Sequence, residues 1–99
     1  MNEQNRILIL DRHQESMDRV TRLLESVGCI VAGTMSDAVV IDLATSSDYD
    51  ALLIGGEVPQ SDGGYVTTKA RNEKPSMPVI IVNSPESVLT QLRQAGLSL

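Results

Sequence analysis

Three short polar clusters carry most of the side chains in this chain that could do chemistry. Asp11-Arg12-His13 follows one apolar run, Gly55-Gly56-Glu57 a second, and Asn83-Ser84 a third. Asp11 and Glu57 are the carboxylates of these clusters. Arg12 has two readings: a solvated loop charge, or a cation that pairs with Asp11 or Glu57. The second is the sharper expectation. His13 reads as a solvated loop residue. Gly55-Gly56 would let a ligand come close to the backbone, and a simple turn accounts for the pair equally well. The phosphate-cradling loop, the dinucleotide fingerprint and the nucleophile elbow are all missing from the sequence. Cys29 is the single cysteine, which excludes an internal disulfide and a zinc cluster and leaves a small core residue.

Positioning these clusters requires rigid elements beneath them. Four apolar runs recur, Arg6–Leu10, Cys29–Ala32, Ala51–Ile54 and Pro78–Val82. Each is too short for a helix and rich in branched aliphatics, as strands buried on both faces should be. Between them lie helical spacings. Met17, Val20, Leu23, Leu24 and Val27 make one apolar stripe, and Gly28 is placed to end it. A second helix spans Asp37–Ala44 with Ser36 as its cap and Val40, Leu43 and Ala44 facing inward. A third runs from Gly64 to Asn72. In the last, Ser84 caps, Pro85 takes the first helical position, Val88, Leu89, Leu92 and Ala95 form the stripe, and Gly96 closes it. The alternation predicts one α/β domain over residues 1–99: parallel strands, right-handed crossovers and helices on both faces. Ligands of such sheets bind at the carboxyl ends of the strands, where the three polar clusters lie.

Composition narrows the function. The 99 residues hold 13 acidic and 8 basic side chains, a net charge of -5, which argues against nucleic acid as a direct partner. Phe and Trp are absent and only Tyr49 and Tyr65 are aromatic, so base stacking is poorly supplied and the core is aliphatic. The sequence offers no apolar run long enough for a bilayer and no secretory signal at its start, so the expectation is a cytoplasmic protein with no membrane partner.

The stretch from Ala51 to Gly64 resembles the third strand and following loop of a response-regulator receiver domain. That family carries an apolar strand, the phosphorylated Asp, three residues, a Pro, two residues and Asp-Gly; Pro59 and Asp62-Gly63 fit the frame, with Glu57 inside it. Arg6–Asp11 resembles the first receiver strand and Pro78–Ser84 the fourth, so the similarity runs from Arg6 to Gly96. It implies a flavodoxin-like doubly wound sheet in three α/β/α layers, with strand order 2-1-3-4.

The departures from that pattern shape the functional expectation. Gly55 stands where receivers carry the phospho-accepting Asp, and a glycine cannot form an acyl phosphate. Asp11 matches the first acidic residue after strand one, but Arg12 replaces the second, which in the family binds magnesium; a guanidinium cannot do so. Asn83 aligns with the switch Thr or Ser, and Ser84 with the small residue after it. The family's active-site Lys would lie beyond Leu99. The resemblance therefore implies a degenerate receiver, a signalling module of a two-component or phosphorelay system. It would act through protein partners without aspartyl phosphorylation, with no cofactor, no metal and no enzymatic activity. The alternative is a phosphorylatable receiver, with Asp11 or Glu57 as acceptor. A third reading comes from Asp11-x-His13, which resembles the cobalt-ligating loop of cobalamin-binding domains, although Ser16 stands where that family has Gly.

The resemblance also leaves the chain one strand and one helix short. Strand four becomes an exposed edge, and the face under the absent last helix is expected to be bare. Either the chain belongs to a longer protein, or it completes itself with a partner, as a homodimer or by strand exchange.

Overall fold

Two central strands organise the molecule. In the computed structural model, which describes residues 4–99, β1 (Arg6–Leu10) pairs in parallel with β2 (Ile30–Thr34) on one side and β3 (Ala51–Ile54) on the other. β4 (Val79–Ile81) extends the sheet beyond β3, giving the order β2-β1-β3-β4. Residues 1–3 of the expected domain lie outside the described residues. From Ile7 to Leu10 and from Ala51 to Ile54 every residue is buried, as strands covered on both faces require. The edge strands depart from that expectation: Ile30 in β2 and Ile81 in β4 are exposed, because helices cover the sheet's middle more fully than its margins.

The connecting helices follow their apolar stripes. α1 (Gln14–Ser26) buries Met17, Val20 and Leu24, whereas Val27 lies past its end and is exposed rather than part of the stripe; Gly28 follows, with a φ of +86° open to glycine at no steric cost. α2 (Asp37–Ser46) starts at Ser36, whose hydroxyl accepts a hydrogen bond from Val39 N–H at 3.2 Å. α3 (Gln60–Glu73) begins four residues earlier than its sequence suggests. Gly63 N–H donates to Pro59 O at 2.9 Å, and Val66 and Ala70 are fully buried, so packing carries a helix that Gly63-Gly64 disfavour locally. The final segment divides into a 3₁₀ turn at Pro85–Ser87, capped by Ser84, and α4 (Val88–Gln94), with Gly96 at φ +101° just beyond. Val88 and Leu92 are fully buried, whereas Ala95 is exposed rather than part of the stripe.

The placement of α4 corrects one expectation. Right-handed crossovers put α1, which leads outward to β2, on one face, and α2 and α3, which lead back across the sheet, on the other. α4 crosses to the α1 face, where Val88 and Leu92 join Ile9, Met17, Val20 and Leu24 in one core cluster, with Leu97 and Leu99 packed against it. The second cluster joins α2 and α3 to the opposite face through Val40, Ala44, Val66 and Ala70. The result is a doubly wound, flavodoxin-like three-layer α/β/α fold. Its α1 face is covered instead of bare.

Candidate functional site

The carboxyl ends of β1 and β3 place Asp11 and Gly55 side by side. Asp11 is the one buried charged residue among the described residues, 3% exposed. Its Oδ1 accepts hydrogen bonds from Arg12 N–H at 2.8 Å and His13 N–H at 3.3 Å. These bonds to the start of the following loop compensate burial of the charge. Gly55 is fixed from the same strand, its N–H donating to Leu10 O at 2.8 Å. A Cβ built on Gly55 would stand 2.5 Å from each oxygen of the Asp11 carboxylate, closer than real Cβ atoms come. Gly55 is thus required here for close approach. The Asp11 carboxylate fills the space in which a side chain at position 55 would begin.

Around this pair lies a small cleft of about 120 Å³. Asp11, Gly55, Gly56, Glu57, Asn83 and Ser84 line it over an apolar floor that includes Val20 and Val82. Three loops far apart in sequence therefore converge at one place, as the strand-end rule requires. Glu57 and Asn83 are exposed. Asn83 N–H is held by Gln91 Oε1 at 3.1 Å, and Ser84 N–H by Ser87 Oγ at 3.1 Å.

Arg12 is absent from that lining. Its guanidinium turns away from Asp11 and Glu57 and binds Asp37 at 2.5 Å, Asp62 at 3.4 Å and Met35 O at 2.8 Å. The expected pairing with Asp11 or Glu57 is corrected accordingly. The reason is electrostatic: Asp37 and Asp62 occupy the first turns of α2 and α3, where carboxylates are favoured, and together they outweigh one carboxylate already held by backbone N–H groups. The hydrogen bond that the Arg12 guanidinium donates to Asp37 is the main cause that raises the Arg12 pKa, against the opposing effect of burial. Arg12 therefore straps the loop after β1 to the starts of two helices.

The remaining candidates have structural places. Pro59, Asp62 and Gly63 form the start of α3, with Gly63 buried beside Ile54. His13 is exposed at the N-cap of α1, its side chain making no capping bond and lying outside the cleft lining. Cys29 is buried, and burial pushes its thiol pKa up, away from reactivity. Sequence reasoning missed Asp37 as an Arg12 partner, since the contact spans 25 residues and only the fold creates it. Among the described residues, no three His, Cys, Asp or Glu side chains gather in a way that could hold a metal ion. No helix among them is long and apolar enough to cross a membrane.

Comparison with known proteins defines the class. The family model of the response regulator receiver domain matches residues 7–98, and the chain belongs to that family, the receiver domain of two-component signalling systems. Among solved structures, a CheY-like response regulator receiver domain protein from Methanospirillum hungatei JF-1 superposes with a TM-score of 0.79 at 17% identity, covering 93% of each chain. An adenylate cyclase from Rhodopirellula baltica superposes with a TM-score of 0.70 at 21% identity, over 92% of this chain and 67% of that one. At these identities the likeness is one of fold. No curated protein matches the sequence. Receiver domains are in general signalling modules that work through other proteins, and this family accounts for the Pro59 and Asp62-Gly63 frame that the cobalamin resemblance leaves unexplained.

Proposed function

We propose that this domain is a pseudo-receiver: a module of a two-component or phosphorelay system that acts by protein–protein association without aspartyl phosphorylation. The observation that carries the reading is the fit of the Asp11 carboxylate into the space beside Gly55. In this reading Asp11, Arg12, Gly55, Asn83 and Ser84 are the degenerate positions of a phosphorylation site, and residues 1–99 act as one unit in the cytoplasm. The residues do not fit a resident magnesium ion, which demands oxygen ligands in near-ideal geometry. Asp11 Oδ1 is committed to two backbone N–H groups, Arg12 presents a cation tied to Asp37, and Gly55 brings no side-chain oxygen.

The partner is another protein. A second copy is the weaker case, because the edge of β4 is less open than its sequence suggests: Gln91 Nε2 donates to Ile81 O at 2.8 Å. Light scattering across a concentration series checks this, and a constant monomer mass assigns the role to a different protein. The phosphorylation reading is tested by incubation with acetyl phosphate and Mg²⁺. The expected result is an unmodified chain. A hydroxylamine-sensitive adduct overturns the proposal, and its loss in Asp11→Asn or Glu57→Gln would identify the acceptor.

A further inference from the structure

The edge of β4 has a backbone pattern that can be assigned group by group. Leu52 N–H donates to Pro78 O at 3.0 Å, and Val82 N–H donates to Ile54 O at 2.8 Å. In a parallel ladder these bonds turn Pro78, Ile80 and Val82 toward β3 and leave the N–H and C=O groups of Val79 and Ile81, with Asn83 N–H, facing outward. Such groups are a template for another strand. Ile81, 55% exposed, stands on this margin.

At its carboxyl end the template is already occupied. The carboxamide of Gln91, one turn into α4, donates from Nε2 to Ile81 O at 2.8 Å and accepts at Oε1 from Asn83 N–H at 3.1 Å. A residue of an added parallel strand would bond the same two groups, its N–H on one carbonyl and its C=O on the N–H two residues further along. The side-chain amide thus imitates one peptide unit of a fifth strand. Its orientation is determined, because only the oxygen can accept from Asn83 and only the nitrogen can donate to Ile81. Ser87 Oγ lies 3.0 Å from the same oxygen and 2.9 Å from Ser84 O, two acceptors for its single proton, and its own place is fixed by Ser84 N–H at 3.1 Å. Beside Gln91 in sequence, fully buried Leu92 anchors the helix that carries the amide.

We propose that Gln91 is an edge plug: its carboxamide closes the carboxyl end of β4 and prevents strand-to-strand pairing with a second copy of this chain. A second copy is the occupant most in need of exclusion. It presents the same outward groups, and two β4 edges related by a two-fold axis can pair antiparallel and close as a dimer. This inference does not depend on whether the cleft is phosphorylated.

Amide hydrogen exchange on the unaltered protein tests the plug first. Asn83 N–H should be protected and the outward Ile81 N–H should exchange faster; equal rates at both positions would overturn the proposal. The Gln91→Ala variant tests the consequence, with circular dichroism to verify its helices, since alanine favours the helix and position 91 lies outside the buried core. In it, Asn83 exchange should accelerate about tenfold, the equivalent of one lost hydrogen bond. Its sedimentation coefficient should rise with concentration, while that of the unaltered protein stays constant. A variant that remains monomeric at every concentration would overturn the plug. Should Gln91→Ala fail to fold, Gln91→Met, which keeps the length of the side chain without its amide, supplies the same concentration series, and a constant sedimentation coefficient there overturns the plug equally.

Discussion

The rim above β1 and β3 and the outer edge of β4 both bring polar groups to the margin of the same sheet, and they satisfy them in opposite ways. At the rim, one residue's side chain fills the place another lacks: Asp11 occupies the space beside Gly55 and bonds to backbone that follows it in sequence. At the edge, a helix reaches across to the sheet, and Gln91 completes backbone groups ten and eight residues away. The rim is held by burial and close packing, so it tolerates little change of volume. The edge is held by hydrogen bonds in water's reach, so it can open at small cost. A site of the first kind is fixed in shape, whereas one of the second kind can be switched.

Substitutions sharpen this contrast, beginning with the largest effect. Leu92→Ala removes a fully buried side chain that anchors α4 and should cost about 2–5 kcal/mol in urea denaturation, with loss of protection at Asn83 as the helix loosens. Gly55→Ala forces a methyl group against the Asp11 carboxylate and should cost about 1–3 kcal/mol, the usual penalty of overpacking. Equal stability of Gly55→Ala and the parent would break the account of the rim. Arg12→Ala loses the strap to Asp37, Asp62 and Met35 and should cost about 1 kcal/mol, less at high salt, because the guanidinium is only partly shielded.

The smallest effect is expected where the 3₁₀ turn meets α1. Glu86 is held below its ordinary value of 4.5, first by a hydrogen bond from its own backbone and then by Arg19, whose guanidinium lies 2.7 Å away. A lowered carboxylate stabilises the fold above its unfolded-state pKa, and that contribution is lost as pH falls through the lowered value. Thermal melts of Glu86→Gln should therefore fall slightly below the parent at neutral pH and converge with it in acid. A difference that grows in acid would contradict the assignment.

Much of the framework is legible in the sequence because it depends on local chemistry. β3 occupies the four residues its apolar run marks, Ser36 caps α2, and Gly28 and Gly96 take the positive φ that helix ends favour. The convergence of Asp11, Gly55, Glu57, Asn83 and Ser84 is legible too, since a parallel sheet gathers its strand ends. What the sequence hides is non-local. The early start of α3 rests on the packing of Val66 and Ala70 and overrides two glycines. The partners of Arg12 lie 25 and 50 residues away. Nothing in the stripe of Val88 and Leu92 says which face of the sheet α4 covers, and so nothing in it marks Gln91 as the neighbour of β4.

The most direct test of the rim is a double-mutant cycle by urea denaturation across Gly55→Ala and Asp11→Ala. If the Asp11 carboxylate fills the side-chain space of position 55, Gly55→Ala should destabilise the parent clearly and lose most of that cost once Asp11→Ala has removed the carboxylate. An equal cost in both backgrounds would show that the two residues do not share that space, and the fit of Asp11 beside Gly55 that carries the pseudo-receiver reading would fall with it.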